Sequence, residues 1–437
     1  MAPSASKEEH HHQHSSDSSS ASARRLAAIA GQLGSVTSSS VQVLSSSRRH
    51  PSSSSHSSSS SSSSRSHKEW RHLPSFSSLP REGGFPGCAW SVWGKGDELG
   101  TVNLLTDSVV LRTAKDEIRT GHTVSLNLPL HLPLKPFFHR KALDHTIWGK
   151  KGGRYQEARE AVRAAMGEQG HAVQIRAKGE EAAVSDEEIH LNSQSGTQWD
   201  GLRHFGHLTL DCFYQGVPRD AIQSTFGTQK HDAIEPAKDT DRLGIQSWAR
   251  HGICGRAVLL DVWGYLQAKA AGGGDFVPYD PMTSHAISVD LLQEVARAQG
   301  VRFRQADILL VRLGFTQRYL RATPAEREQW EARSAAGKEE LAGLEQGQAM
   351  LEFLWDHHFA AVGSDMPALE RWPAPRGATY LHETLLTFFG MPIGELFDLE
   401  RLVEHCRATR RWSFFLSSWP LNLHGGVASP ANAAALF

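Results

Sequence analysis

The sequence predicts one mixed domain, α/β or α+β, behind a serine-rich tail. Three observations carry this. Two compact apolar runs, Arg256-Ala-Val-Leu-Leu-Asp-Val262 and Asp307-Ile-Leu-Leu-Val-Arg-Leu313, read as buried strands. Between them, 288–299 has helical periodicity, with Leu292, Val295 and Ala296 inward and Gly300 placed to stop it. Finally, composition changes abruptly near residue 68, and strands and helices intermix only after that point.

Taken in order, 1–68 is a different polymer from the rest. Positions 51–64 are all Ser apart from Pro51 and His56. Ser has little apolar area to offset the entropy of ordering, so a disordered tail is expected. His10-His11-His12 and His14 fall in it and read as solvated low-complexity sequence rather than a metal tract. The basic stretch 22–33 resembles a presequence, but Glu8, Glu9 and Asp17 precede it, and such peptides are poor in acid. A cytoplasmic location is the default expectation, with mitochondria second.

The second segment, 69–437, is expected to be one domain. A helix is predicted over 106–119: Thr106 can cap it, Val110, Ala114 and Ile118 share a face, and Gly121 stops it. Thr123-Val-Ser-Leu-Asn-Leu-Pro-Leu130 alternates like a strand. A helix is expected at 155–166 and a short strand at 189–193. The stretch 324–359 should be mostly helical, 360–363 a strand, 399–409 a helix and 412–417 a strand. Extra helical material around 150–185 and 320–350 reads as insertions. There is no internal repeat.

Composition removes several function classes. The 437 residues carry 46 Lys+Arg against 47 Asp+Glu, a formal charge of -1, which argues against a nucleic-acid partner. No run of about 18 apolar residues suggests a membrane span. The Cys residues at 88, 212, 254 and 406 form no CxxC pair, so neither a disulfide framework nor a Cys-rich zinc site is indicated. No GxGxxG opening a helix, no GxxxxGK[ST] and no G-x-S-x-G occurs. Hydrophobic content of 39% is below the usual ~45–50%, partly because the tail dilutes it.

The chemistry concentrates in Ser193-Gln-Ser-Gly-Thr-Gln-Trp-Asp-Gly-Leu-Arg-His-Phe-Gly-His207. Gln194, Gln198, Asp200, His204 and His207 lie close together, and Gly196 and Gly201 allow tight turns. A carboxylate with imidazoles on a turn can bind a divalent metal or do acid–base work. On spacing alone, a polar loop bonding its own backbone amides is the favoured reading.

This segment resembles the signature of the cyclase family of metal-dependent hydrolases, which includes kynurenine formamidases. That signature is His-x-Gly-Thr-His-x-Asp-x-Pro-x-His-Phe, and here the chain reads Gln194-Ser-Gly-Thr-Gln198-Trp-Asp200-Gly-Leu-Arg-His204-Phe. Further stretches resemble the family in order: Trp93-Gly-Lys-Gly-Asp97 through Asn103, the strand ending at Asp261, 307–314, Val362-Gly-Ser-Asp365, the span from His382 to Glu395, and Gly425-Gly-Val-Ala-Ser-Pro430. The resemblance covers 88–437. It implies a swivelling β/β/α domain, homo-oligomers, and hydrolysis of an amide, formamide or lactone carbonyl in a small molecule.

The resemblance also implies a site. The family's two signature ligand histidines fall on Gln194 and Gln198, as in a fungal-type variant; Asp200 keeps the bridging carboxylate, and His382 and Glu395 match the later ligands. Metal ligands would then be Gln194, Gln198, Asp200, His382 and Glu395. Gln offers a neutral carbonyl oxygen, a harder donor than imidazole, so Mn²⁺ (or Mg²⁺ or Ca²⁺) suits such a set better than Zn²⁺, or one ion replaces two. His204 matches the acid–base histidine, with Asp200 beside it. Read structurally instead, His382 belongs to an amphipathic surface helix, Trp199 is core or pocket wall, His207 supports the site, and His357-His358 are solvated. Two further functions stay open: a metal-free lyase or isomerase on this fold, and a non-catalytic binding protein.

Overall fold

In the computed structural model, residues 70, 72–151, 157–158, 160–161, 164, 181–228, 240–272 and 277–437 are described. They lie within one compact unit, Ser66–Phe437. The expected tail, 1–68, and most of the helix expected at 155–166 fall outside the described residues.

The two apolar runs form the middle of the sheet. Strands of this sheet are β1 (Thr123–Ser125), β2 (Gln198–Asp200), β3 (Ile253–Asp261), β4 (Ile308–Arg312), β5 (Ala361–Ser364), β6 (Ile393–Glu395), β7 (Ser413–Ser418), β8 (Ala428–Pro430) and β9 (Ala433–Leu436). Among the described residues their order is β1-β9-β7-β3-β4-β5-β6-β2-β8. Strands β3 to β6 run parallel. Antiparallel strands extend both sides. Parallel neighbours need crossovers, and the helices supply most of them. Helix α1 (Asp107–Glu117) precedes β1; α2 (Val262–Ala271) and α3 (Val289–Gln299) join β3 to β4; α4 (Phe315–Arg321), α5 (Pro324–Ala335) and α6 (Gln348–Asp356) join β4 to β5; α7 (Glu400–Thr409) follows β6. Every residue of β4 and β5 is buried, as covered parallel strands require.

Local chemistry explains the boundaries. The Thr106 hydroxyl accepts from Val109 N at 3.3 Å and starts α1. The helix ends at Glu117, two residues before the expected Arg119. Ile118 is 37% exposed; Thr113 is buried, and so is Glu117. Its carboxylate meets Arg256 at 3.1 Å and Arg411 at 3.2 Å, so ion pairing with β3 decides that face. Helix α3 behaves as its pattern predicts: Leu292, Val295 and Ala296 are buried and Gly300 closes it at φ 69°.

Three expectations need correction. The strand expected at 189–193 is only the end of a longer one, Glu181–His190, which pairs antiparallel with Asp144–Lys151. Between α5 and α6 the chain is not helical, because Gly343–Leu344 leaves to pair with Ala286–Ile287. His357 and His358 are half-buried rather than solvated. His357 stacks edge-on to Phe303 at 4.9 Å and its Nδ1 bonds Phe353 O at 2.9 Å.

The Trp93–Asn103 motif is architectural. Asp97 accepts from Gly100 N (2.6 Å), Asn103 Nδ2 (2.7 Å) and Tyr214 OH (2.8 Å). Gly100 has φ 60°, and a Cβ there would lie 1.9 Å from Gly390 O, so no other residue fits. No helix among the described residues is long and apolar enough to cross a membrane.

Candidate active site

The register of β2 against β6 builds the site. Asp200 pairs with Ile393 and Gln198 with Glu395, so alternate residues of β2 project with Glu395 onto one face. Trp199 points the other way. It is fully buried, packs on Phe397 at 5.1 Å and donates to Ser418 Oγ at 2.8 Å, so it is core.

Four side chains converge on the Asp200 carboxylate. Gln194 Nε2 donates to Oδ1 at 2.7 Å and Gln198 Nε2 at 3.1 Å. His382 Nε2 is 3.7 Å from Oδ2 and His204 Nε2 is 4.0 Å from it. Gln198 Nε2 also donates to Glu395 Oε2 at 2.8 Å, and Glu395 Oε1 lies 3.3 Å from His382 Nε2. All six expected residues are therefore brought together.

The turn before β2 places Gln194. Its N–H bonds Asn192 Oδ1 at 2.9 Å, and its carbonyl accepts from Arg140 at 2.9 Å. The glycines work differently from expectation. Neither Gly196 nor Gly201 has positive φ; Gly201 is needed because a Cβ would meet Val427 O at 2.7 Å. Arg203 then ties the loop down through Thr240 O (3.0 Å) and Gly425 O (2.8 Å). His382 does not sit on an amphipathic surface helix. The following segment, Glu383–Phe389, is a π-helix buried at every position.

Sequence reasoning missed Glu370 and Arg140. Glu370 is buried, and its Oε1 lies 2.6 Å from His382 Nδ1. It also accepts from the backbone N–H groups of Leu381 and His382. No local signal marks it, since its partners lie 11 and 12 positions away. His207 does not join the cluster: it packs on Phe85 and Phe388, with Nδ1 3.6 Å from Glu383.

Charge follows from this geometry. Burial depresses His204 to about 4, with Asp200 only partly opposing, so His204 is neutral at pH 7. Burial also acts to raise Asp200, but neighbouring imidazoles and Arg140 outweigh it and hold the carboxyl low, at about 2. His204 is itself uncharged at neutral pH, so His382 and Arg140 carry most of that stabilisation there. Burial and Asp200 lift Glu395 to about 7. Burial opposes charge on His382, yet Asp200, Glu370 and Glu395 together hold its pKa well above the imidazole range. The orientation of Gln194 matters here. Its amide nitrogen faces Asp200 and also lies 3.1 Å from His204 Nδ1. A donor there makes Nδ1 the acceptor, which puts the hydrogen of the neutral ring on Nε2.

The residues fit a divalent cation. Three buried carboxylates, Asp200, Glu370 and Glu395, surround one imidazole. Two buried oxygens, Asp200 Oδ2 and Gln198 Oε1, have no hydrogen-bond partner. Ligand atoms of Asp200, His204 and His382 lie within 4.8 Å of one another. An oxygen-rich donor set with imidazole suits Mn²⁺ and admits Zn²⁺.

An aromatic strip runs from this cluster to the surface. Phe205 lies 5.5 Å from His382 and 5.8 Å from Tyr380; Tyr380 stacks on Trp372 at 5.6 Å, and Trp372 meets Phe138 at 5.3 Å. All four are half-buried. The Arg140 guanidinium lies 5.3 Å from the Phe138 ring centroid.

Comparison with known proteins gives the same family. The Cyclase family model ("Putative cyclase") matches residues 106–371. A crystal structure described as a novel cyclase is 27% identical with a TM-score of 0.59, covering 80% of this chain and 99% of that one. Isatin hydrolase A from Labrenzia aggregata, bound to benzyl benzoate, is 14% identical with a TM-score of 0.40, covering 75% and 97%. A predicted metal-dependent hydrolase from Bacillus stearothermophilus is 14% identical with a TM-score of 0.36, covering 72% and 98%. No curated protein matches.

Proposed function

The chain belongs to the cyclase family, and from that premise we propose that it is a hydrolase cleaving the C–N bond of an amide or formamide, or a related cyclic amide or ester. The observation that carries this is a neutral His204 beside a buried carboxylate with a free oxygen. The aromatic strip supports an aryl-substituted amide, as in arylformamidases, since its half-buried rings can cover a ring of the substrate. Arg140, at the end of the strip, suits a carboxylate on the same molecule.

A divalent ion, when bound, lowers the pKa of a water and polarises the carbonyl. Asp200, His382 and Glu395 would hold it. The remaining work falls to His204. It acts as a hydrogen-bond donor rather than as the acid–base group the resemblance implies: its Nε2–H donates to the carbonyl oxygen as negative charge develops there, while the proton lost by the attacking water and the one gained by the leaving amine exchange with solvent. Gln194 keeps the ring in that tautomer, and Asp200 Oδ1 keeps Gln194 in place.

The test separates the roles. N-formylkynurenine and a panel of aryl amides, lactones and cyclic imides are assayed together with metal content. His204→Ala should keep the bound ion and lose turnover by at least about 10²-fold. Asp200→Ala should lose both. Unchanged turnover in His204→Ala would remove His204 from the chemistry, and a chain inert across the whole panel would point to a binding role.

A further inference from the structure

We infer that this site holds a single divalent ion, and that the side-chain amides of Gln194 and Gln198 stand where a second cation would otherwise be needed. The inference rests on the metal reading above. It starts from which oxygens are already engaged. Asp200 Oδ1 accepts from both Gln194 Nε2 (2.7 Å) and Gln198 Nε2 (3.1 Å), and Glu395 Oε2 accepts from Gln198 Nε2 (2.8 Å). One amide nitrogen thus gives its two hydrogens to two carboxylates on paired strands. It fills the space between them with positive partial charge, and an amide N–H cannot ligate a metal.

The amide orientation follows from the partners. Turning Gln198 over would set its carbonyl oxygen against two carboxylate oxygens, which repel it. The nitrogen end is the one that fits, and Gln198 Oε1 is accordingly the end left without a partner.

What remains is one set of donors. Each carboxylate keeps one oxygen outside the amide bridge: Asp200 Oδ2, unpartnered, and Glu395 Oε1, which also accepts from Leu369 N at 3.2 Å. Both face His382 Nε2, at 3.7 and 3.3 Å. Two oxygens and one imidazole nitrogen serve one ion.

The experiment loads the full chain with Mn²⁺, removes the excess, and measures metal per chain together with the electron paramagnetic resonance spectrum. The expected result is one ion per chain with the spectrum of an isolated Mn²⁺. Two ions per chain with spin coupling would overturn the inference while leaving the metal reading intact; no retained ion would overturn both. The double variant Gln194→His/Gln198→His, checked for folding by circular dichroism, should raise the capacity to two. A folded double variant that still binds one ion would overturn the part assigned to the amides.

Discussion

At the residue scale, function depends on side chains that hold other side chains. Gln194, Gln198, Asp200 and His204 were legible because they fall within eleven consecutive positions. His382 and Glu395 needed a resemblance to be found, since they reach the cluster from far along the chain. Glu370 was legible by neither route, yet its carboxylate fixes which nitrogen of His382 faces Asp200. Partners of this kind tune metal affinity by about 10–100-fold. Glu370→Ala should therefore weaken Mn²⁺ binding by about that factor, read by isothermal titration. Glu370→Gln, whose amide oxygen can still accept from Nδ1–H, should restore most of it. Equal losses in the two variants would show that charge, rather than ring orientation, is what Glu370 supplies.

At the element scale, caps and apolar runs were readable and pairing was not. The run beginning at Pro324 announces its own start: Thr323 and Glu326 form a reciprocal capping box ahead of α5. The π-helical segment after His382 could not be recognised, because a segment buried on all sides has no polar face to set its period. The capping box makes a pH prediction. Glu326 is held down to about 2 by the Thr323 backbone N–H first, then by Arg318 and the Thr323 hydroxyl. A carboxyl depressed below its unfolded value of 4.5 adds stability that is present above pH 4.5 and is lost as pH falls toward 2. Wild type should thus unfold at higher urea than Glu326→Gln at pH 7, and the gap should narrow steadily below pH 4.5. A gap independent of pH would mean the cap works without its charge.

At the scale of the whole molecule, the site is also a clamp. Strands β2 and β6 are three residues each, too short to be found by periodicity. Their pairing joins residues 197 positions apart, which no local pattern records. The donors proposed for the ion come from both strands and from His382, so an ion that binds only the folded chain links three distant parts of the sequence. Such binding stabilises the native state by about 2.7 kcal/mol when the free ion is at a hundredfold its Kd. For a domain of this size that corresponds to a rise of several degrees in Tm. Addition of Mn²⁺ to chelator-treated protein should produce this rise, and Asp200→Ala should abolish it, while His204→Ala should keep it because His204 is assigned to the carbonyl oxygen rather than to the ion. If His204→Ala also loses the shift, the imidazole is a ligand, and the donor set becomes Asp200, His204 and His382, whose ligand atoms already lie within 4.8 Å of one another.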